Sequence, residues 1–181
     1  MSNNENALSE PVGAKDHAQG PANAPVTLVE YGDYECSHCG EFYPVMKEVQ
    51  EIMGDKLRFV FRNFPLSKMH PHATIAAAAA EAAGAQGKFW EMHDMLYENQ
   101  QDLGARALRG YAEKLRLDVE RFMDDVNSET YVHRVRNDFK TGMMSGVNGT
   151  PSLFINGERY DGERDLESLL EALQSIMNKR A

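Results

Sequence analysis

The sequence predicts an α/β fold in which an all-helical block separates an N-terminal strand–helix–strand unit from a closing β-hairpin and helix. Three observations carry that reading. Two short runs rich in β-branched and aromatic residues, Val26–Tyr31 and Leu57–Arg62, flank a stretch whose apolar residues recur at three and four. Residues 71 to about 146 then keep the helical period with few breaks. Strand-like sequence resumes at Ser152-Leu153-Phe154-Ile155, followed by Asn156-Gly157, the strongest short hairpin signal, and an amphipathic stretch.

Residues 1 to about 24 are rich in Asn, Ala, Gly, Pro and Glu. Residues 1–15 read as a mobile tail, and Gly20–Pro25 as a loop. Residues 16–181 read as a single domain, with no repeat or linker to divide it. After the first strand, Gly32-Asp33-Tyr34-Glu35 turns the chain. Over Ser37–Met53 the apolar positions Phe42, Val45, Met46, Val49, Ile52 and Met53 recur at three and four, a helix period; Pro44 inside it should kink the helix, and Gly54 should end it. Strand, helix and strand together form a βαβ unit, which calls for parallel strands and a right-handed crossover.

The insertion is expected to hold five helices. Pro71 suits a helix start, and Ala73–Ala85 has high intrinsic propensity, with Ala76–Ala80 permitting close packing. Phe89, Trp90, His93, Leu96 and Tyr97 mark a second helix, and Leu108, Tyr111, Ala112 and Leu115 a third. Asp118 should cap a fourth, through Val126. Ser128 with Glu129 should begin a fifth, through Met143, with Gly146 as its C-terminal cap. Glu158–Tyr160 is the expected return strand, and Leu166 to Met177 the last helix.

The 181 residues, 42% hydrophobic and 26% charged, suffice for one core without staples. With 28 acidic against 19 basic residues the net charge is −9, which argues against nucleic acid and against anionic membrane as partners. No run approaches the ~20 apolar residues of a membrane span. The first residues have neither the basic nor the apolar stretch of a signal peptide, so a cytoplasmic protein is expected, and a monomer.

Only two cysteines are present, Cys36 and Cys39, as a C-x-x-C. A disulfide between them closes so short a loop that little chain entropy is removed, which weakens a purely structural role. Structural zinc usually needs four ligands, and no two of His17, His38, His70, His72, His93 and His133 have the H-x₃₋₅-H spacing, so no metal is expected. The order strand, turn, Cys36-Ser37-His38-Cys39, kinked helix, strand is the context in which a C-x-x-C becomes a redox site. A free thiol has a pKa of about 8.5, and the thiolate is the reactive form. At a helix start, unpartnered N–H groups and a protonated His38 would stabilise the Cys36 thiolate. Bringing its pKa to about 6 would raise the thiolate fraction at pH 7 from a few per cent to roughly nine-tenths, about 3 kcal/mol of differential stabilisation. Cys39, one turn further in, suits the resolving role.

Over about residues 15 to 178 the chain resembles a DsbA-like thiol–disulfide oxidoreductase of the thioredoxin superfamily. The resemblance rests on Cys36-Ser37-His38-Cys39 at a strand-to-helix junction, on Gly149-Thr150-Pro151, on Glu30 six residues before Cys36, and on Pro44 five after Cys39. Asn63-Phe64-Pro65-Leu66, followed by His70, His72 and Gln86–Trp90, is similar to a DsbA-like subgroup. Ser37 departs from the proline of the best-known members, at a position that tunes reduction potential. The resemblance implies a thioredoxin fold with a helical insertion and a cis peptide at Thr150–Pro151 facing the cysteines. It also implies catalysis by Cys36, Cys39 and His38, with Glu30 moving the proton of Cys39, and substrate contact through Ser37, Thr150 and Pro151. Disulfide- or thiol-containing proteins are the implied substrates, with glutathione as another candidate redox partner. No cofactor is implied, because the dithiol itself carries two electrons. Two other classes stay open: a non-catalytic binding or chaperone-like module, and a metal-binding protein using both cysteines and a histidine. His70 and His72 flank Pro71 and read as capping or solvated residues; Phe89 and Trp90 read as core. Met143 and Met144 are candidates for a substrate-lining surface.

Overall fold

The computed structural model describes residues 6–180. Its strands are β1 (His17–Gln19), β2 (Val26–Gly32), β3 (Leu57–Asn63), β4 (Ser152–Ile155) and β5 (Glu158–Tyr160). Its helices are α1 (Ser37–Met53), α2 (Ala73–Gly84), α3 (Phe89–Glu98), α4 (Ala105–Lys114), α5 (Val119–Asn127), α6 (Val132–Met144) and α7 (Leu166–Arg180), with a 3₁₀ turn at Gly54–Lys56. By its internal contacts the chain forms two compact units. One contains the chain up to Gly32, Glu41–Arg62, and the chain from Thr141 onward; the other contains Asp33–Gly40 and Asn63–Lys140. A single domain over residues 16–181 was expected; the helical unit comprises most of the insertion foreseen at about 71–146, together with the segment that carries the cysteines.

The first unit holds a five-stranded sheet in the order β1-β3-β2-β4-β5. β2 is central, and Val26, Leu28, Val29 and Tyr31 are buried on it. β4 runs antiparallel to β2, with Glu30 opposite Leu153 and Tyr31 opposite Ser152. Asn156 and Gly157 both have positive φ, 50° and 85°, as a turn matched to the strand twist requires, so the β4–β5 hairpin forms where expected. α7 packs on β2 and buries Leu169 and Leu173. Pro44 sits inside α1 without ending it.

Two expectations at the N-terminus are corrected. His17–Gln19, taken as outside any strand, pairs antiparallel with β3, His17 opposite Phe61. Residues 1–5 of the expected mobile tail lie outside the described residues. The remainder is held by hydrogen bonds, because its backbone groups find partners: Leu8 N–H donates to Gly157 O at 2.9 Å and Ser9 N–H to Ser145 Oγ at 2.9 Å. The carbonyls of Glu10 and Pro11 accept from the guanidinium of Arg62. That guanidinium is buried, forks onto both oxygens of Asp16 at 2.9 and 3.0 Å, and donates to Tyr31 Oη at 2.9 Å. Burial opposes its charge, yet Asp16 and Tyr31 hold its pKa above the usual arginine value.

In the second unit α2 packs against α3, α4 and α5. It buries Ala76, Ala77, Ala79, Ala80, Ala82 and Ala83, and so small a set of side chains lets neighbours approach on several sides. Phe89 is buried as expected, in an aromatic cluster with Trp90, His93 and Tyr97. Asp118 caps α5, accepting from Arg121 N–H at 3.1 Å. Helix α6 starts at Val132, not at Ser128, which is extended and ends α5. Its far end is as expected: Gly146 takes φ 82°, and Val147 N–H returns to Gly142 O at 2.9 Å.

Candidate active site

Cys36 is the residue before α1, and its carbonyl accepts the Gly40 N–H at 3.0 Å, the first closed turn of the helix. Ser37 and His38 are exposed to solvent, while Cys36 and Cys39 are not joined in a disulfide and are 5% and 0% exposed. The two cysteines of one helical turn are both buried and differ in that Cys36 alone keeps a small exposed fraction.

Each residue of the segment leading to Cys36 is tethered within the helical unit. The Asp33 carboxylate is buried; its Oδ1 accepts Glu35 N–H at 2.8 Å, and its Oδ2 accepts Leu66 N–H at 2.9 Å and meets His70 Nδ1 at 2.8 Å. The carbonyl of Asp33 accepts Cys36 N–H at 3.1 Å. Tyr34 is buried, with its hydroxyl 3.0 Å from His93 Nδ1 and its ring against Tyr97. Glu35 accepts the His72 N–H at 2.6 Å and pairs with His72 Nδ1 at 3.1 Å. Finally Gln100 Nε2 donates both to Tyr34 O at 2.8 Å and to Cys36 O at 2.9 Å. Gly40 makes room for that amide: a Cβ there would lie 2.0 Å from Gln100 Oε1.

Asp33, Glu35, His70, His72 and Gln100 were not singled out by sequence as parts of this site. His72 stands at the backbone N-cap position of α2, but its side chain makes no cap bond and goes to Glu35 instead. An aspartate three residues before the first cysteine was the one usable signal in the sequence. Gln100 reaches its carbonyl partners across 64 and 66 residues, and no local pattern marks it.

Glu30 and Thr150–Pro151 belong to the sheet unit. Glu30 is 3% exposed on the central strand β2. The Thr150–Pro151 peptide is cis, as expected, and Pro151 is buried immediately before β4. Arg164 Nη1 donates to Pro151 O at 3.1 Å, and a cavity of about 400 Å³ is lined by Gly149, Thr150, Pro151, Arg159 and Arg164 among others. Met143 and Met144 are exposed and border a second cavity. Among the described residues no group of three or more His, Cys, Asp or Glu side chains is arranged to hold a metal ion.

A family model described as thioredoxin matches residues 13–175. Oxidised BdbD from Bacillus subtilis superposes with a TM-score of 0.84 at 24% identity, covering 96% of this chain and 99% of that one. Alpha-DsbA1 of Wolbachia pipientis superposes at 0.80 with 22% identity, over 99% and 97% of the two chains. At these identities the likeness shows the fold, an α/β thioredoxin fold of the DsbA type. A curated relative from Salinispora arenicola, named Na(+)/H(+) antiporter NhaA 1, is 45% identical over 163 residues, 89% of this chain and 24% of its own. The chain thus spans about a quarter of the length of that relative.

Proposed function

Because the chain belongs to the thioredoxin family and folds like the DsbA-type structures, we propose that it is a dithiol–disulfide oxidoreductase acting through Cys36 and Cys39 on thiol- or disulfide-containing proteins. The observation that carries this reading is the pair of cysteines one turn apart at the start of α1, both buried, with Cys36 alone keeping a small exposed fraction.

In the oxidised-substrate direction the Cys36 thiolate attacks one sulfur of the substrate disulfide. A mixed disulfide forms, and the other substrate sulfur leaves as a thiolate that takes a proton. Cys39 then loses its proton and attacks Cys36 Sγ, which releases the second substrate thiolate. Two electrons pass to the substrate, and the site ends as the Cys36–Cys39 disulfide; the opposite direction runs the same steps backward. Glu30 is the group proposed to take the Cys39 proton, a role that its burial on β2 supports, since carboxylates are seldom fully buried without a partner. His38 is proposed to favour the Cys36 thiolate, and Ser37, Thr150 and Pro151 to contact the substrate. Among the described residues no helix is long and apolar enough to cross a membrane.

Trapping tests the assignment. Cys39→Ser should accumulate reductant-sensitive adducts through Cys36 when offered protein and small disulfides, read by mass. Cys36→Ser should give none and lose exchange. No adduct from Cys39→Ser across several disulfides points to the binding module instead, and equal trapping by both variants means that the attacker and resolver roles are misassigned.

A further inference from the structure

We propose that His70, held by the buried carboxylate of Asp33, is a positioning residue that balances the negative charge around Cys36 and couples its own protonation to the redox state of that cysteine. The inference deepens the exchange reading above and rests on it only for the importance of the Cys36 thiolate.

Charge arithmetic on the loop is the starting point. Asp33-Tyr34-Glu35-Cys36 places two carboxylates within three residues of the nucleophile, and like charge nearby disfavours a thiolate. Each carboxylate is met by a histidine from the segment entering α2: Asp33 by His70 at 2.8 Å and Glu35 by His72 at 3.1 Å. The two pairs are not equivalent. The Asp33 side chain has no exposure and that of His70 is 19% exposed, whereas half of the His72 side chain is in solvent, where its charge is screened.

The Asp33 carboxylate also fixes the state of the ring. An ionised carboxylate accepts only, so Nδ1 of His70 carries the proton in that 2.8 Å bond and Nε2 is the nitrogen that titrates. Leu66 N–H and Glu35 N–H hold the carboxylate from two other sides, and the same residue's carbonyl takes Cys36 N–H. One rigid residue therefore connects imidazole and cysteine backbone. The groups acting on the ring are Asp33, Cys36 and Glu35: burial pulls its pKa down, but the Asp33 hydrogen bond and charge, with the charges of Cys36 and Glu35 behind them, outweigh burial and raise it. An imidazolium at His70 stabilises the thiolate, and by linkage the thiolate stabilises the imidazolium. When Cys36 and Cys39 give up two electrons and form a disulfide, the thiolate charge vanishes and His70 loses that support.

The test uses the whole chain without substrate, so its outcome is separable from that of the trapping experiment. The His70 ring is titrated by NMR in the reduced protein, in the chemically oxidised protein and in Cys36→Ala. A higher midpoint in the reduced form than in both others is expected, and equal midpoints in all three overturn the proposal without recourse to any His70 variant. In parallel, thiolate absorbance is titrated in His70→Asn, whose amide can keep the bond to Asp33 while removing the charge. The thiolate fraction below neutral pH should fall about threefold, in keeping with a single opposing charge partly screened by water. His70→Lys, which restores a cation, should recover part of that loss. A His70→Asn protein with wild-type unfolding and an unchanged thiolate titration assigns His70 a structural role only and refutes the inference.

Discussion

Gly40→Ala should change the sign of its effect on stability according to what stands at position 100. Alanine in a helix interior is ordinarily favoured over glycine by about 1 kcal/mol. Here the added Cβ meets Gln100 Oε1 at 2.0 Å and Cδ at 2.6 Å, distances no relaxed structure keeps. The neighbour is the end of a flexible side chain, so it swings away rather than forcing α1 to move. In doing so it gives up its bonds to Tyr34 O and Cys36 O, each worth about 1 kcal/mol net. Subtracting the propensity gain leaves Gly40→Ala destabilising by about 1 kcal/mol, and Gln100→Ala by about 2 kcal/mol. In the Gln100→Ala background the collision is gone, and Gly40→Ala should stabilise by about 1 kcal/mol. The coupling is then about 2 kcal/mol, well beyond the few tenths expected of independent sites.

The measurement is a double-mutant cycle by urea denaturation of the reduced protein at fixed pH and excess reductant. Wild type, both single variants and the double variant are compared at their transition midpoints. Additive behaviour, with Gly40→Ala carrying the same sign in both backgrounds, would refute the claim that the Gln100 amide is the reason for glycine at position 40.

Two further predictions concern stability. Asp138 is buried, and burial, with Glu81 adding to it, raises its carboxyl to about 6 against the lowering bonds from Asn63 and the charge of Arg134. Since that value lies above the unfolded one, its contribution is complete below about pH 4 and is lost as the pH rises through about 6, at most about 3 kcal/mol. Urea midpoints between pH 4 and 7.5 should fall less in Asp138→Asn than in wild type, and parallel profiles would dismiss the assignment. Asp16→Ala should cost about 3 kcal/mol by stranding the buried Arg62 guanidinium, read by the same denaturation; a loss below about 1 kcal/mol would mean that the Glu10 and Pro11 carbonyls and Tyr31 suffice to hold it.

Features fixed by neighbours in the chain were legible in the sequence, and features fixed by distant pairing were not. The helical period of Phe42, Met46, Val49 and Met53 defines α1 because these positions are buried along it, whereas Ile52, in the same apolar pattern, is 53% exposed. Asn156-Gly157 declares its turn because two adjacent residues must take positive φ. His17-Ala18-Gln19 has no alternation to read; it is a strand only because β3 offers an edge to pair with. Ser128-Glu129 looks like a helix start, yet Ser128 N–H closes the end of α5 on Asp124 O, and the local signal was spent on the preceding helix. At the site, Cys36 and Cys39 declare themselves through a spacing that one helical turn satisfies, whereas the Asp33–His70 bond spans 37 residues.

The two histidines near the nucleophile make the same point in energetic terms. His38 lies between the cysteines, and sequence proximity is the only distance a sequence offers. It is exposed, and a charge in water acts on its neighbours through a dielectric of about 80. His70 lies 34 positions from Cys36 by the numbering, yet its ring is largely withdrawn from solvent and bonded to a carboxylate with no exposure. Near a protein surface the effective dielectric is closer to about 20, so a charge at equal separation counts several-fold more there than in open water. A histidine distant in sequence but partly buried can therefore outweigh one that is adjacent but solvated. His38→Ala and His70→Asn, compared by thiolate titration, measure that ratio directly: the larger upward shift belongs to His70 if burial governs, and to His38 if adjacency does.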